Sequence, residues 1–183
     1  WGGESPAGRL RFLSPNTAAI GPGDPVVMPT QSSNVHYEGE LAVVIGRVCK
    51  DVSPEEASKV IFGYTCANDV TARDLQRSDG QWSRAKGFDT FCPLGPWIET
   101  DLDPGDQSLV TRLDGEVVQD GNTSDMVHGV AALIAHASAA FTLLPGDVIL
   151  TGTPAGVGPV QEGQRVEVEI QDIGTLSNPF VRP

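Results

Sequence analysis

The stretch His36-Tyr37-Glu38-Gly39-Glu40-Leu41-Ala42-Val43-Val44-Ile45-Gly46 decides the fold. Leu41 to Ile45 is an apolar, largely β-branched run, the pattern of a strand buried on both faces. Glu38 and Glu40 stand two positions apart at its entrance, so an extended backbone sends both carboxylates out of one face. Two acids that close, entering a core strand, repel each other and lose hydration unless a positive charge lies between them. A hard divalent cation meets that need, because Mg²⁺, Mn²⁺ and Ca²⁺ all take carboxylate oxygens. A solvated strand end bearing two surface acids is the competing reading. Gly39 points the other way and leaves room for a neighbouring backbone.

Outward from this strand, the totals set bounds. A chain of 183 residues suits one domain. Gly (21) and Pro (14) are frequent enough to imply many tight turns around a core drawn from 39% hydrophobic residues. The net charge of −12 disfavours nucleic acid and anionic membrane as partners. A small anionic substrate held by a few local cations remains compatible with it. No apolar run approaches the roughly 20 residues of a membrane span, and no secretory signal pattern is visible. Cys49, Cys66 and Cys92 are odd in number and form no C-x-x-C pair. They read as free thiols in a reducing, cytoplasmic setting.

Along the chain, residues 1–24 read as an irregular arm with a short extended piece near Leu10–Leu13, followed by a turn at Gly21–Asp24 and a short strand at Val26–Met28. The core strand is expected over residues 38–48. Ser53-Pro54-Glu55-Glu56 has the form of a capped helix start, and Val60–Ala67 that of a second buried strand. Thr71–Asp74 reads as a capped helical turn that places Arg73 and Gln76 on one face. Residues 78–96 form a long irregular segment. Asp114-Gly115 between Leu109–Leu113 and Glu116–Gln119 signals a hairpin. Ser124 or Asp125 caps one long helix over 126–143, with an apolar stripe of Val127, Val130, Ala131, Ile134, Ala137 and Phe141. Val148–Leu150 leads into a Gly-rich loop, Thr151–Gly158, and residues 165–172 and 175–181 alternate like antiparallel strands. The class is mainly β with one long helix (α+β).

Asp69 is the natural third metal ligand, because it too ends an apolar strand, although turn residues of this kind often only cap. Three carboxylates with open coordination positions suit a cation that also holds substrate or water. Arg73, Gln76 and Lys86 supply counter-charge for an anionic substrate. Arg73, Arg77, Arg84 and Lys86, a third of the basic residues, follow the acids closely. The Thr151–Gly158 loop lacks the Lys-Ser/Thr of a P-loop, and presents either backbone N–H groups and the Thr153 hydroxyl to a carboxylate or nothing beyond a turn. No G-x-S-x-G elbow or G-x-G-x-x-G fingerprint occurs. His128 and His136 are too far apart to chelate from adjacent turns. His36 shares the face of Glu38 and Glu40 and is a weaker ligand candidate.

Taken together, Glu38–Gly46, Gly63-Tyr64, Asn68–Asp74, Lys86–Asp89 and Gly146–Pro154 resemble the fumarylacetoacetate hydrolase family, in order and spacing along the whole chain. The likeness is strongest to its bacterial 2-hydroxyhepta-2,4-diene-1,7-dioate isomerase and acylpyruvate hydrolase branch. The resemblance implies a mixed β-sandwich roll of the family's C-terminal domain type, as a homodimer. It implies Mg²⁺ or Mn²⁺ on Glu38, Glu40 and Asp69, with Ca²⁺ as a third option. Arg73, Gln76, Lys86 and Thr153 are implied as substrate contacts, with Lys86 and Arg73 acting in the chemistry. The implied activity is metal-dependent C–C hydrolysis of an acylpyruvate-type 2-oxo acid through a stabilised enolate. Isomerisation or decarboxylation of related diacids, and a non-catalytic binding domain, are the alternatives. The family's general base comes from an upstream His-x-x-Glu lid. Residues 1–183 are therefore expected to be a single catalytic domain that lacks this segment.

Overall fold

The computed structural model describes residues 12–183. Phe12 and Leu13 have no regular structure, and the remainder of the piece expected near Leu10–Leu13 lies outside the described residues. The strands are β1 (Ala19–Ile20), β2 (Val26–Val27), β3 (Val35–Tyr37), β4 (Gly39–Ile45), β5 (Ile61–Asn68) and β6 (Thr71–Ala72). Two short helices follow, α1 (Arg73–Asp79) and α2 (Ser83–Lys86). Then come β7 (Cys92–Glu99), β8 (Ser108–Leu113), β9 (Glu116–Asn122), helix α3 (Val130–Ala140), β10 (Val148–Leu150), β11 (Gly158–Pro159), β12 (Arg165–Ile170) and β13 (Gly174–Val181).

The strands form two five-stranded sheets, ordered β1-β7-β5-β4-β10 and β2-β13-β12-β8-β9, with a three-stranded sheet β11-β3-β6 beside them. This is the mixed, curled α+β sandwich expected. The two large sheets face each other across one core, where Leu41, Val43 and Ile45 of β4 and Cys66 of β5 meet Val166, Val168 and Ile170 of β12 and Leu176 and Phe180 of β13. Each of those nine residues is essentially sealed from solvent. On the β4–β5 ladder, Glu40 stands opposite Ala67 and Gly39 opposite Asn68. The pairing thereby brings the acid-bearing entrance of β4 to the exit of β5, where Asp69 follows.

Several local expectations shift. The core strand stops at Ile45, and the Gly46 N–H still bonds to the Val60 carbonyl just before β5. Pro54–Lys59 forms a 3₁₀ helix, and Ser53 makes no side-chain cap bond. Residues 71 and 72 are strand, and α1 starts at Arg73, because the Thr71 hydroxyl donates to the Asp69 carbonyl instead of capping. The segment 78–96 is largely regular, holding the end of α1, all of α2 and the first half of β7. The long helix is shorter than its apolar pattern. Thr123–Asp125 is a separate 3₁₀ turn capped by Asn122, and extended backbone at Phe141 ends α3. Its buried face is Val130, Ile134 and Ser138, with Ala137 partly covered; Val127, Ala131 and Phe141 are exposed. The hairpin is as expected, with Asp114 and Gly115 both at positive φ (50° and 86°).

Gly39 does leave room, but for side chains of the opposite sheet. A Cβ there would collide with the Thr111 hydroxyl of β8 and press on Gln119 of β9 and Val168 of β12. Gly39→Ala is therefore expected to cost about 1–3 kcal/mol by overpacking, read as a lowered urea midpoint; an unchanged midpoint would show that the sheets separate freely here.

Candidate active site

Three backbone arrangements set the acids. The Glu38 N–H donates to the Asn68 side-chain oxygen (2.9 Å), and the Asp69 N–H donates to the Glu38 carbonyl (2.8 Å). The Gly152 N–H, at a glycine with φ of 99°, donates to the Glu40 carboxylate (2.7 Å). One carboxylate oxygen from each of Glu38, Glu40 and Asp69 lies within 4.8 Å of the others, and all three residues are buried.

Two cations enter this cluster. The Arg73 guanidinium donates through Nη2 to Glu38 Oε1 (2.5 Å) and through Nη1 to Gln76 Oε1 (2.7 Å). Their spacing on α1 permits the second bond. The Lys86 ammonium, delivered by α2, donates to Glu38 Oε2 (2.8 Å) and Asp69 Oδ2 (2.5 Å). It also lies 5.1 Å from the centroid of the Phe12 ring, which itself stands 6.0 Å from Trp82. Arg73, Gln76 and Lys86 are all buried.

The balance is one charge short of neutral: three carboxylates face one ammonium and one guanidinium. Glu40 bears the remainder, with no ion pair of its own among the described residues. Burial, reinforced by Asp69 and Glu38, holds its carboxyl well above the usual range. Burial likewise raises Asp69 to about 6, against the pull of Lys86. Burial alone would lower Lys86, but Asp69, Glu38 and Glu40 outweigh it and raise its pKa. An all-oxygen donor set with surplus negative charge fits a hard divalent cation.

Sequence reading thus placed Glu38, Glu40, Asp69, Arg73, Gln76 and Lys86 in what proves to be one cluster. Thr153 stands beside it. Its hydroxyl donates to the Gly39 carbonyl (2.9 Å) and accepts from Gln119 Nε2 (2.8 Å). The proton of Thr153 is thereby committed within the chain, which bars it from donating to a carboxylate while that bond lasts. The Gly-rich loop does use a backbone N–H on a carboxylate, that of Glu40. His36 lies outside the acid trio; its Nε2 pairs with Asn34 Oδ1 (2.9 Å), and burial followed by Arg73 lowers its pKa. Gln119 and Phe12 were missed. Within β9, Val117 is exposed and Gln119 buried, the reverse of what hydrophobicity signals.

The fold and the buried acid trio together place the chain in one family of domains. The family model for the fumarylacetoacetate hydrolase C-terminal region matches residues 3–181, and the chain belongs to that family. It is similar to the crystal structure of 2-hydroxyhepta-2,4-diene-1,7-dioate isomerase from Mycobacterium marinum, with 59% identity, a TM-score of 0.95, and coverage of 97% of this chain and 71% of that one. The maleylpyruvate hydrolase of Sphingobium sp. SYK-6, in complex with manganese(II) and pyruvate, is 42% identical with a TM-score of 0.86, over 93% of this chain and 64% of that one. The mitochondrial oxaloacetate tautomerase FAHD2A of Homo sapiens is 46% identical over 177 residues, 90% of this chain and 56% of the relative. The relatives are thus enzymes of three reaction types acting on small acids. Among the described residues no helix is long and apolar enough to cross a membrane.

The raised carboxyls carry a pH signature. In the folded chain Asp69 and Glu40 keep protons to higher pH than when unfolded, so their contribution to stability is present below about pH 4 and is lost as pH rises through about 6 for Asp69. The metal-free protein is therefore expected to melt at lower temperature as pH climbs from about 5 to about 7.5. Mn²⁺ affinity should rise over that range, by about tenfold per pH unit for each proton the cation displaces. Calorimetric titration in two buffers of different ionisation enthalpy counts those protons; none released would mean the acids are already ionised.

Proposed function

We propose that this chain is the catalytic domain of a divalent-metal-dependent enzyme acting on a small 2-oxo acid, with C–C hydrolysis of an acylpyruvate as its reaction. Isomerisation or decarboxylation of 2-oxo or 2-hydroxydienoic diacids is the alternative, supported by the isomerase and tautomerase relatives. The observation that carries the reading is Glu40: a buried carboxylate beside two others, left without a counter-ion of its own.

In this reading Glu38, Glu40 and Asp69 hold Mg²⁺ or Mn²⁺, and the manganese of the maleylpyruvate hydrolase complex supports that choice. The cation supplies Lewis-acid polarisation of the 2-oxo group. Arg73, held in plane by the Gln76 amide, binds the substrate carboxylate through its free N–H groups. Lys86 has two N–H groups committed to Glu38 and Asp69 and offers the third to the oxygen where negative charge develops. The Phe12 ring, next to Trp82, keeps water from that ammonium. The base that activates water belongs to an upstream segment of His-x-x-Glu form. A homodimer is also part of the proposal, through the exposed Phe62, Ile98 and Val148 on β5, β7 and β10 with nearby Leu144. The unpaired Cys49, Cys66 and Cys92 support a cytoplasmic setting.

Glu40→Gln separates charge from packing. It is expected to raise the melting temperature of the metal-free protein at a pH high enough to ionise Glu40, because an unpaired buried charge is then removed, while abolishing Mn²⁺ binding and turnover. The direct test assays the intact protein on acylpyruvates, maleylpyruvate, oxaloacetate and hydroxyheptadienedioate, with Mn²⁺ and with EDTA. Undiminished turnover in EDTA would sink the scheme.

A further inference from the structure

We propose that Gln119 is a positioning residue, whose single side-chain amide locks the acid-bearing strand to the Thr151–Gly158 loop. It belongs to β9, in the sheet opposite the one bearing the acids, and is only 1% exposed. Its Oε1 accepts from the Gly39 N–H (3.0 Å), the peptide between Glu38 and Glu40. Its Nε2 donates to Thr153 Oγ1 (2.8 Å) and to the Pro154 carbonyl (3.0 Å). The Thr153 hydroxyl then donates to the Gly39 carbonyl (2.9 Å), which closes a ring of hydrogen bonds around Gly39. The same loop sends the Gly152 N–H to the Glu40 carboxylate.

Only an amide fills all three roles, since they require an acceptor and two donors from one planar group. The packing around it is equally specific. A Cβ at Gly156 would strike the Val118 carbonyl and Gln119 Cγ, and one at Gly121 would press on Pro154 (2.9 Å). Both glycines therefore let the loop lie flat against β9. Through this contact the second sheet fixes the orientation of Glu40 and the direction of the Thr153 proton, although Gln119 itself is bonded to neither a carboxylate nor a substrate atom.

The inference rests on the metal reading above only for its second measurement. Gln119→Glu keeps the acceptor for the Gly39 N–H and loses both donations; Gln119→Met keeps approximate volume and loses all three bonds. In the metal-free proteins, hydrogen exchange of the loop peptide is expected to speed up at least tenfold in both variants, while exchange in β12 and β13 stays as in the parent. In Mn²⁺ titrations both are expected to bind about 10- to 100-fold more weakly, the usual effect of losing a group that orients a ligand. Thr153→Val combined with Gln119→Met should then be no worse than either alone, because both break one ring. Unchanged loop exchange in both variants, or additive losses in the double variant, would overturn the proposal. A parent protein that binds no Mn²⁺, with the exchange effect still present in the variants, would overturn the metal reading and leave the lock standing. Should Gln119→Met fail to fold, Gln119→Glu and Thr153→Val give the exchange and affinity comparisons.

Discussion

Three ionised acids cannot share a dry pocket with only two positive groups, and the structure around Glu38, Glu40 and Asp69 is organised by that constraint. Each acid receives a different answer. Glu38 takes both Arg73 and Lys86, Asp69 shares Lys86, and Glu40 has a peptide N–H from a glycine. The short helices α1 and α2 exist at this point in the chain to bring Arg73 and Lys86 inward, and both residues are buried to a degree rare for their types. The surplus charge left on Glu40 is what a divalent ion would relieve.

How much of this was legible depends on whether a residue's role is encoded by alternation or by long-range pairing. Glu38 and Glu40 declare themselves because a strand's period of two puts them on one face, and an apolar run behind them says that face is enclosed. Asp69 follows because its strand is equally apolar up to Asn68. Arg73 and Gln76 follow from helical spacing. Gln119 had no such signal: strict alternation would put it on the exposed face of Val117, and a register shift in the β8–β9 pairing, which leaves Val118 without a partner, turns it inward. The length of α3 was overread for a similar reason: apolar residues at helical spacing extend beyond the part that meets the core, and Val127 and Phe141 stay exposed. The segment 78–96 hid α2, a single turn too brief to show a period.

Relatives of several activities are compatible with what such a cluster could do. It offers three carboxylates that could hold a hard ion, with a guanidinium and an ammonium bonded to them, a set that would stabilise negative charge on an oxygen without dictating which bond breaks next. Hydrolase, isomerase and tautomerase relatives at 42–59% identity are consistent with one such centre under different surroundings. In this chain, part of those surroundings is the Phe12 ring over Lys86, with Trp82 next to it in turn.

The ladder between β4 and β5 has a consequence for how such a chain can diverge. The acids are held by register: Gly39 opposite Asn68, and Glu40 opposite Ala67. Slipping either strand by one residue would turn its acids to the wrong side of the sheet. Insertions and deletions inside residues 39–44 and 63–68, where the pairing is unbroken, would thus displace the acids; the register shift lies beyond, between Val44 and Ile45. The excursion from Gly46 to Val60 leaves and rejoins the same end of this pair, remote from the acids, and is closed there by the Gly46–Val60 hydrogen bond. Length changes in a lineage of such proteins would accumulate in that excursion, where the chain can grow ornament without disturbing the chemistry.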